Sequence, residues 1–438
     1  MNKVEPRTLP GFMELMPQDQ IMFEKMKNII ESTYASYGFY PLDTPIIELS
    51  SVLLAKAGGE TEKQIYRFNK GDNDLSLRFD LTVPLAKYVA SKSNELIFPF
   101  KRYQIGKVYR GERPQKGRFR EFYQCDIDVI GSESLSILYD AEIPSIIYDL
   151  FKKLNIGDFI IRINNRKILS GFFSSLELYD IVTDILRIID KIDKIGVEEV
   201  KSELRLLNIS EDKINSIISF ISIDGDAFTK LDKLKSMGVN NETFNTGVEE
   251  LETVINNIKA RGIDESNYQI DLTIARGLDY YTGTVYETIL KDYPSIGSVC
   301  SGGRYDNLAT YYTDKVLPGV GISIGLTRLF YQLKEAGVIK STESSVSDIT
   351  ILPMTENLEY VYKYTNILKE NNIKVDTAFL GKFKQLIRYA DKQKTPFVLI
   401  IGDDEIEKNI AILKDMQTGE QTEVNLSNII DIYNSLTK

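Results

Sequence analysis

The chain has 438 residues, 43% of them hydrophobic and 26% charged, and 53 Lys and Arg stand against 63 Asp and Glu for a net charge of −10. That length calls for two or three domains with ample core, no run approaches the roughly 18 apolar residues a membrane span needs, and the acidic balance by itself does not suggest a nucleic-acid binder. Histidine is absent, which removes Ser-His-Asp and Cys-His nucleophiles and almost any zinc site, leaving Arg, Lys, carboxylates, Tyr and backbone N–H groups to do the chemistry.

The first 17 residues, "MNKVEPRTLPGFMELMP", carry no signal-peptide apolar segment, and their early acids argue against an organelle presequence. Residues 19–37 read as an amphipathic helix ended by Gly38, and 39–49 as an extended segment in which Pro41 and Pro45 forbid a helix. From about 64 to 131 come short alternating runs, predicted as antiparallel strands joined by turns. A helix over 140–155 and a strand over 159–165 follow. Between 170 and 262 the pattern turns helical, with Ile181, Ile185, Ile188, Ile192 and Ile195 at helical spacing, the mark of a small all-helical insert. Strand patterns return over 267–290 and again before a helix at 319–337. A polar stretch, 341–348, reads as a linker, and the remainder as a compact wound α/β module. Cys125 and Cys300 fit no disulfide or metal framework and read as small buried residues of a reducing compartment, consistent with a cytoplasmic location.

Four stretches could carry chemistry. Residues 101–121 hold eight Lys and Arg against Glu112 and Glu121, which makes either a concentrated anion site or a solvated charged hairpin. In "FYQCDIDVIG" the period of two puts Gln124, Asp126 and Asp128 on one strand face and Cys125, Ile127 and Val129 on the other. That polar strip either binds an ammonium or a metal-bridged phosphate, or faces water. "ARGLDYYTGTVYE", 275–287, sets Arg276 among apolar neighbours, where an unpaired buried guanidinium would be very costly, so it should face a cavity. "GVGISIGLTRL" has Gly319, Gly321, Gly325 and Arg328 at a strand-to-helix junction without dinucleotide-binding spacing. A nucleotide could lie against that backbone with Arg328 stacked on its base.

Together and in this order these elements resemble histidyl-tRNA synthetase, a class II aminoacyl-tRNA synthetase. "YRGERPQKGRFREFYQCDID" is similar to the second class II motif, "ARGLDYYTGTVYE" to the histidine signature with "SGGRYDNL" as its companion, "GVGISIGLTRL" to the third motif and "FYPLDTPIIE" to the first. The tail resembles the family's anticodon-binding domain. The resemblance implies an α+β fold: a class II antiparallel-sheet catalytic core over 1–169 and 263–340, a helical insertion over 170–262, and an α/β anticodon-binding domain over 341–438. It also implies an ATP-dependent activation of L-histidine, with Mg2+ accompanying ATP and no metal held by protein His or Cys. The histidyl group then passes to the 3′ end of tRNA(His), in a homodimer formed through the first motif. By motif position, Arg110 and Arg276 would grip the α-phosphate, Glu112 would read the adenine amino group, Phe122 and Arg328 would sandwich its ring, and Arg118 would hold the outer phosphates. Asp80, Thr82, Gln124 and Asp128 would bind the amino acid around its α-amino group, with Arg276 nearby, and Tyr280 and Tyr281 would line the imidazole pocket. Gln115 and Lys116 would meet the extra 5′ guanosine of the tRNA, and the basic stretch of the tail with Lys382, Lys384 and Arg388 reads by its charge as a footprint for tRNA phosphates. "RTLPGFMELMP" departs from the family's usual opening, and no role is assigned there. A non-catalytic paralogue acting as regulatory subunit of ATP phosphoribosyltransferase is the competing reading. Such paralogues typically lack the tail and lose the signature arginines, whereas this chain carries Arg110, Arg276, Arg328 and a full tail.

Overall fold

The computed structural model describes residues 3–55, 60–113, 117–189, 191–274, 281–341, 345–379 and 381–437. Among them the chain divides into two compact units, one of 1–14 and 26–339 and one of 15–25 and 340–438.

The first unit is built on an eight-stranded sheet. In chain order its strands are β1 (Tyr40–Pro41), β2 (Phe100–Tyr109), β3 (Glu121–Ile130), β4 (Phe159–Asn165), β5 (Tyr268–Ile270), β6 (Thr284–Leu290), β7 (Ser298–Tyr305) and β8 (Gly319–Gly325). Their spatial order is β1-β2-β3-β8-β7-β6-β4-β5. Every neighbouring pair is antiparallel except β1–β2 and β4–β5 at the two edges. Alternation along β3 sorts the two faces as the sequence predicts. Cys125, Ile127 and Val129 are fully buried on the face where Tyr34, from the helix Pro17–Ser36, donates its hydroxyl to the Cys125 carbonyl at 3.2 Å. The helix Leu138–Leu154 buries Ile143, Ile146, Ile147 and Leu150. Each such side chain removed from water contributes about 1.5–3 kcal/mol before the entropy of ordering it is counted.

A separate three-stranded sheet joins Ile47–Leu49, Asn73–Leu77 and Arg67–Lys70. It leaves Ile47 and Leu49 about half exposed. The run 64–131 also contains a helix, Thr82–Lys92, that strand alternation did not predict. Asp80 starts it by accepting a hydrogen bond from the Val83 N–H at 3.0 Å, and Pro84 falls in its first turn, where a missing N–H costs nothing.

Between β4 and β5 the described residues contain only helices and turns, from Arg166–Ser175 to Glu242–Ala260. Asn165 caps the first of these by accepting from the Lys167 N–H. The isoleucine run inside is broken into two helices, Val182–Ile189 and Ile192–Ile195. Ile185 and Ile188 are buried, whereas Ile195 is over a third exposed, so one sequence period serves two packing environments.

The second unit has a five-stranded sheet in the order Val375–Thr377, Ile349–Met354, Phe397–Gly402, Ala411–Asp415, Gln421–Val424, the first three parallel and the last two antiparallel additions. The last strand, polar in sequence, was not predicted. Ile349, Ile351, Val361, Tyr364, Leu399 and Leu413 form its core. None of the helices among the described residues is long and apolar enough to cross a membrane.

Candidate active site

The sheet face opposite Cys125 carries a polar row that crosses it strand by strand. Backbone register places Gln104 of β2 beside Asp126 of β3, Asp126 beside Ser323 of β8, Ser323 beside Ser301 of β7, and Ser301 beside Glu287 of β6. Above it lies a cavity of about 560 Å³, a size suited to small ligands. Its walls include Arg110, Glu112, Arg118, Phe122, Arg328, Asp80, Thr82, Gln124 and Tyr281. Nine of the predicted site residues, drawn from four separate stretches of sequence, therefore border one space.

Their local contacts are specific. Arg110 donates from Nε to the Phe79 carbonyl at 2.9 Å and lies 5.2 Å above the Phe122 ring, so its position is set by backbone and by an aromatic face. Arg118 and Glu112 lie 3.6 Å apart, a weak and largely exposed pair that a nucleotide could separate at small cost. Arg328 donates to the Ile296 carbonyl at 2.9 Å. Gln124 donates to the Ser323 hydroxyl at 2.8 Å, and Ser323 in turn hydrogen-bonds to Asp126.

Asp128 occupies a different position from the other predicted ligands. It does not border the cavity, and both its oxygens are engaged: Oδ2 by Arg102 at 2.6 Å and Oδ1 by the Tyr305 hydroxyl at 2.5 Å. Gly321, opposite Asp128 on β8, makes room for it, because a Cβ there would stand 2.3 Å from Oδ1. Burial pushes the Asp128 carboxyl up to about 6 despite the opposing pull of Arg102. Burial likewise pushes Asp126 up to about 7, with Arg102 again opposing and Asp128 adding to the shift. Asp126 was placed on the polar face by sequence alternation but was not counted among the ligands. The phenol of Tyr281 is also raised by burial, and Gly303 lets its ring approach β7, since a Cβ there would meet ring carbon Cδ1 at 2.9 Å.

Among the described residues of 101–121 the cations do not gather into one positive patch, as their density suggested, nor into a solvated hairpin. The two faces of β2 divide them. Arg102 is fully buried, Lys101 pairs with Glu142 at 2.7 Å and Lys107 with Glu121 at 2.8 Å. Arg120 donates to the Glu112 carbonyl at 3.0 Å. Among the described residues, Arg110 and Arg118 are the cations of this stretch that border the cavity. Arg276 and Tyr280 lie outside the described residues, as do Gln115 and Lys116. Among the described residues no group of three or more Cys, Asp and Glu is placed to hold a metal ion. In the second unit, Lys382, Lys384 and Arg388 are exposed on or beside the helix Phe383–Gln393, with Leu386 and Ala390 buried beneath.

A cavity lined by three arginines, two carboxylates and aromatic rings, on an antiparallel sheet, matches the resemblance read from the motifs. A family model for histidyl-tRNA synthetase matches residues 11–329. The chain belongs to the histidyl-tRNA synthetase family. A model for the anticodon binding domain matches residues 348–436 of this synthetase-family chain. Similar proteins include the histidine–tRNA ligase of Clostridium tetani, 57% identical over 98% of both chains, and that of Finegoldia magna, 48% identical over 98% of this chain and 99% of its own. The crystal structure of histidyl-tRNA synthetase from Nostoc sp. PCC 7120 superposes with a TM-score of 0.91 at 42% identity, covering 99% of this chain and 100% of that one. An ATP phosphoribosyltransferase regulatory subunit/histidyl-tRNA synthetase from Bacillus halodurans shares the fold, with a TM-score of 0.74 at 17% identity.

Proposed function

We propose that this chain joins L-histidine to tRNA(His) at the expense of ATP. The observation that carries the reading is the meeting of Arg110, Arg118 and Arg328 with Asp80, Thr82 and Gln124 around one cavity, in a chain of the histidyl-tRNA synthetase family. The histidine carboxylate attacks the α-phosphorus of Mg-ATP. One P–O bond forms as the bond to pyrophosphate breaks, giving histidyl-adenylate. The terminal ribose hydroxyl of the tRNA then displaces AMP. The first step asks the protein for positioning and neutralisation of phosphoryl charge more than for covalent help, which suits a site without histidine.

In this reading Arg110 and Arg276 hold the α-phosphate, the latter by motif position alone. Phe122 and Arg328 enclose the adenine, and Glu112 accepts from its amino group once Arg118 turns to the outer phosphates. Asp80, Thr82 and Gln124 take the α-ammonium end. Tyr281, with Tyr280 by motif position, borders the ring. Asp128 acts from beneath, as the partner of Arg102 and Tyr305. Mg2+ enters with ATP as part of that substrate. Gln115 and Lys116 meet the 5′ end of the tRNA, and Lys382, Lys384 and Arg388 its anticodon arm. Residues 170–262 serve as the insertion domain. Half-exposed Ile47 and Leu49, with Tyr40 at 69% exposure, support a homodimer through the first motif, and the free, buried cysteines suit the cytoplasm. The regulatory-subunit reading is disfavoured by the match of the tail to an anticodon-binding model and by relatives at 57% and 48% identity that carry the ligase name. Histidine-dependent exchange of pyrophosphate into ATP tests the proposal, and a chain silent with histidine would remove it.

A further inference from the structure

Arg110 and Glu112 both border the cavity, yet they stand beyond the regular pairing of β2 with β3, whose register ends at Tyr109 and Glu121. A two-stranded ribbon by itself is marginally stable in water, so what holds these two residues has to come from outside it. On one side the Gly111 N–H donates to the Gln64 carbonyl at 2.6 Å. On the other side stands Arg120, engaged at three points. Its carbonyl accepts from the Arg110 N–H at 2.9 Å, its Nε donates to the Glu112 carbonyl at 3.0 Å, and its own N–H donates to the Gly11 carbonyl at 2.7 Å.

The last of these partners is shaped for the contact. Residues 9–12 form a tight turn, closed by the Phe12 N–H on the Leu9 carbonyl at 3.0 Å and, at its base, by the Thr8 hydroxyl on Glu14 at 2.8 Å. Gly11 has a φ of +87°, and a Cβ there would stand 2.9 Å from Cγ of Arg120 and 3.1 Å from its Cδ. Glycine adopts this φ without strain and lets the backbone lie against the arginine stem. Residues 3–10 are exposed and 11–13 half-buried, so the stretch meets the first unit at this seat. Of the described residues that border the cavity, none comes from 8–13.

We propose that Gly11 and Arg120 are positioning residues of this site: the turn Leu9–Phe12 seats Arg120, and Arg120 sets the backbone of Arg110 and Glu112 where the nucleotide is gripped. This rests on the reading of Arg110 and Glu112 as ATP contacts. The effect falls on ATP rather than on the amino acid, because Asp80 and Thr82 are anchored separately. Asp80 accepts from the Val83 N–H at 3.0 Å, and Arg102 donates to the Leu81 carbonyl at 3.3 Å. Coupling of this kind is reciprocal: a turn that tightens ATP binding by some factor is itself held tighter by ATP to the same extent.

The experiment has two arms, both on the full chain. Pyrophosphate exchange is measured for wild type, Gly11→Ala, Arg120→Ala and the double variant, with Val4→Ala, 90% exposed on the same stretch, as control. Hydrogen exchange of residues 8–13 in the wild type is followed in buffer, with Mg-ATP alone and with histidine alone. Each single variant should raise the KM for ATP about threefold to tenfold, the worth of one net hydrogen bond, and leave the KM for histidine within about twofold. The double variant should lose no more than Arg120→Ala, since one contact is removed twice, and Val4→Ala should change neither KM. Mg-ATP should slow exchange in 8–13, and histidine alone should not. Unchanged KM for ATP in both single variants overturns the proposal, as do equal losses for ATP and histidine, which would mark the seat as packing, and additive losses in the double variant. If the variants do not fold, the wild type decides: exchange in 8–13 indifferent to Mg-ATP overturns the seat. A wild type silent with histidine overturns the proposed function, and protection by Mg-ATP then still decides for or against the seat. An active wild type with unaffected variants overturns the seat alone.

Discussion

Two carboxylates and one guanidinium buried on the same sheet face set the energetics of the site at the residue scale. Asp126 carries a raised pKa of about 7 against an ordinary 3.8, so the folded chain favours its protonated form. A group of this kind contributes stability that is fully present below its unfolded pKa and is lost as pH rises through its folded one. Asp126→Asn removes that loss and leaves Arg102 and Asp128 as a neutral pair. Thermal unfolding should find the variant more stable than wild type at pH 8, by on the order of 2–4 kcal/mol, with the gap closing towards pH 4. A variant less stable than wild type at pH 8 would show that the carboxylate is satisfied in the folded chain. Arg276→Ala should slow adenylate formation by about 10²–10³-fold, the usual effect of removing one preorganised donor to transition-state charge. Near-normal exchange would reject that role. The period of two along β3 made Asp126 legible as a member of the polar face. What the sequence could not show was that Asp128 is closed off, because the Tyr305 hydroxyl that occupies it lies 177 residues away in the chain.

At the scale of elements, strands with strict alternation and helices with a clean apolar stripe were legible, while elements with mixed signals were not. Thr82–Lys92 follows directly on an alternating strand and opens with a β-branched pair and a proline, and Gln421–Val424 has three polar residues of four. Both are held by tertiary packing more than by local propensity. The density of cations in 101–121 is divided for a related reason: alternation on β2 puts Lys101 and Lys107 on the face opposite Arg102, where they pair with Glu142 and Glu121, and composition ignores the face. The basic helix Phe383–Gln393 has no such ambiguity, since Lys382, Lys384 and Arg388 are all exposed. Replacing the three by Ala should weaken tRNA charging and flatten its salt dependence, the logarithmic slope falling by about 0.7 for each single-strand phosphate no longer neutralised, while histidine-dependent exchange stays within about twofold. Charging at the wild-type rate and salt slope would make these residues an ordinary solvated helix face.

For the whole molecule, the absence of histidine and the ordered motifs were enough to place the chain in its family, because class II chemistry leans on arginines, a nucleotide-sized cleft and an antiparallel sheet rather than on a catalytic base. The boundary between the two compact units near residue 340 follows the change from mixed antiparallel strands to wound α/β. The participation of 15–25 in the second unit had no signal in composition or period, since one helix, Pro17–Ser36, runs without interruption through both assignments. The central claim is that the cavity over the polar row of β3 activates histidine. Exchange of pyrophosphate into ATP, measured with each of the amino acids in turn, tests it most directly. Exchange supported by histidine, and by the other amino acids at no more than about a hundredth of its kcat/KM, is the predicted result. No exchange with histidine, or equal exchange with several amino acids, would contradict it.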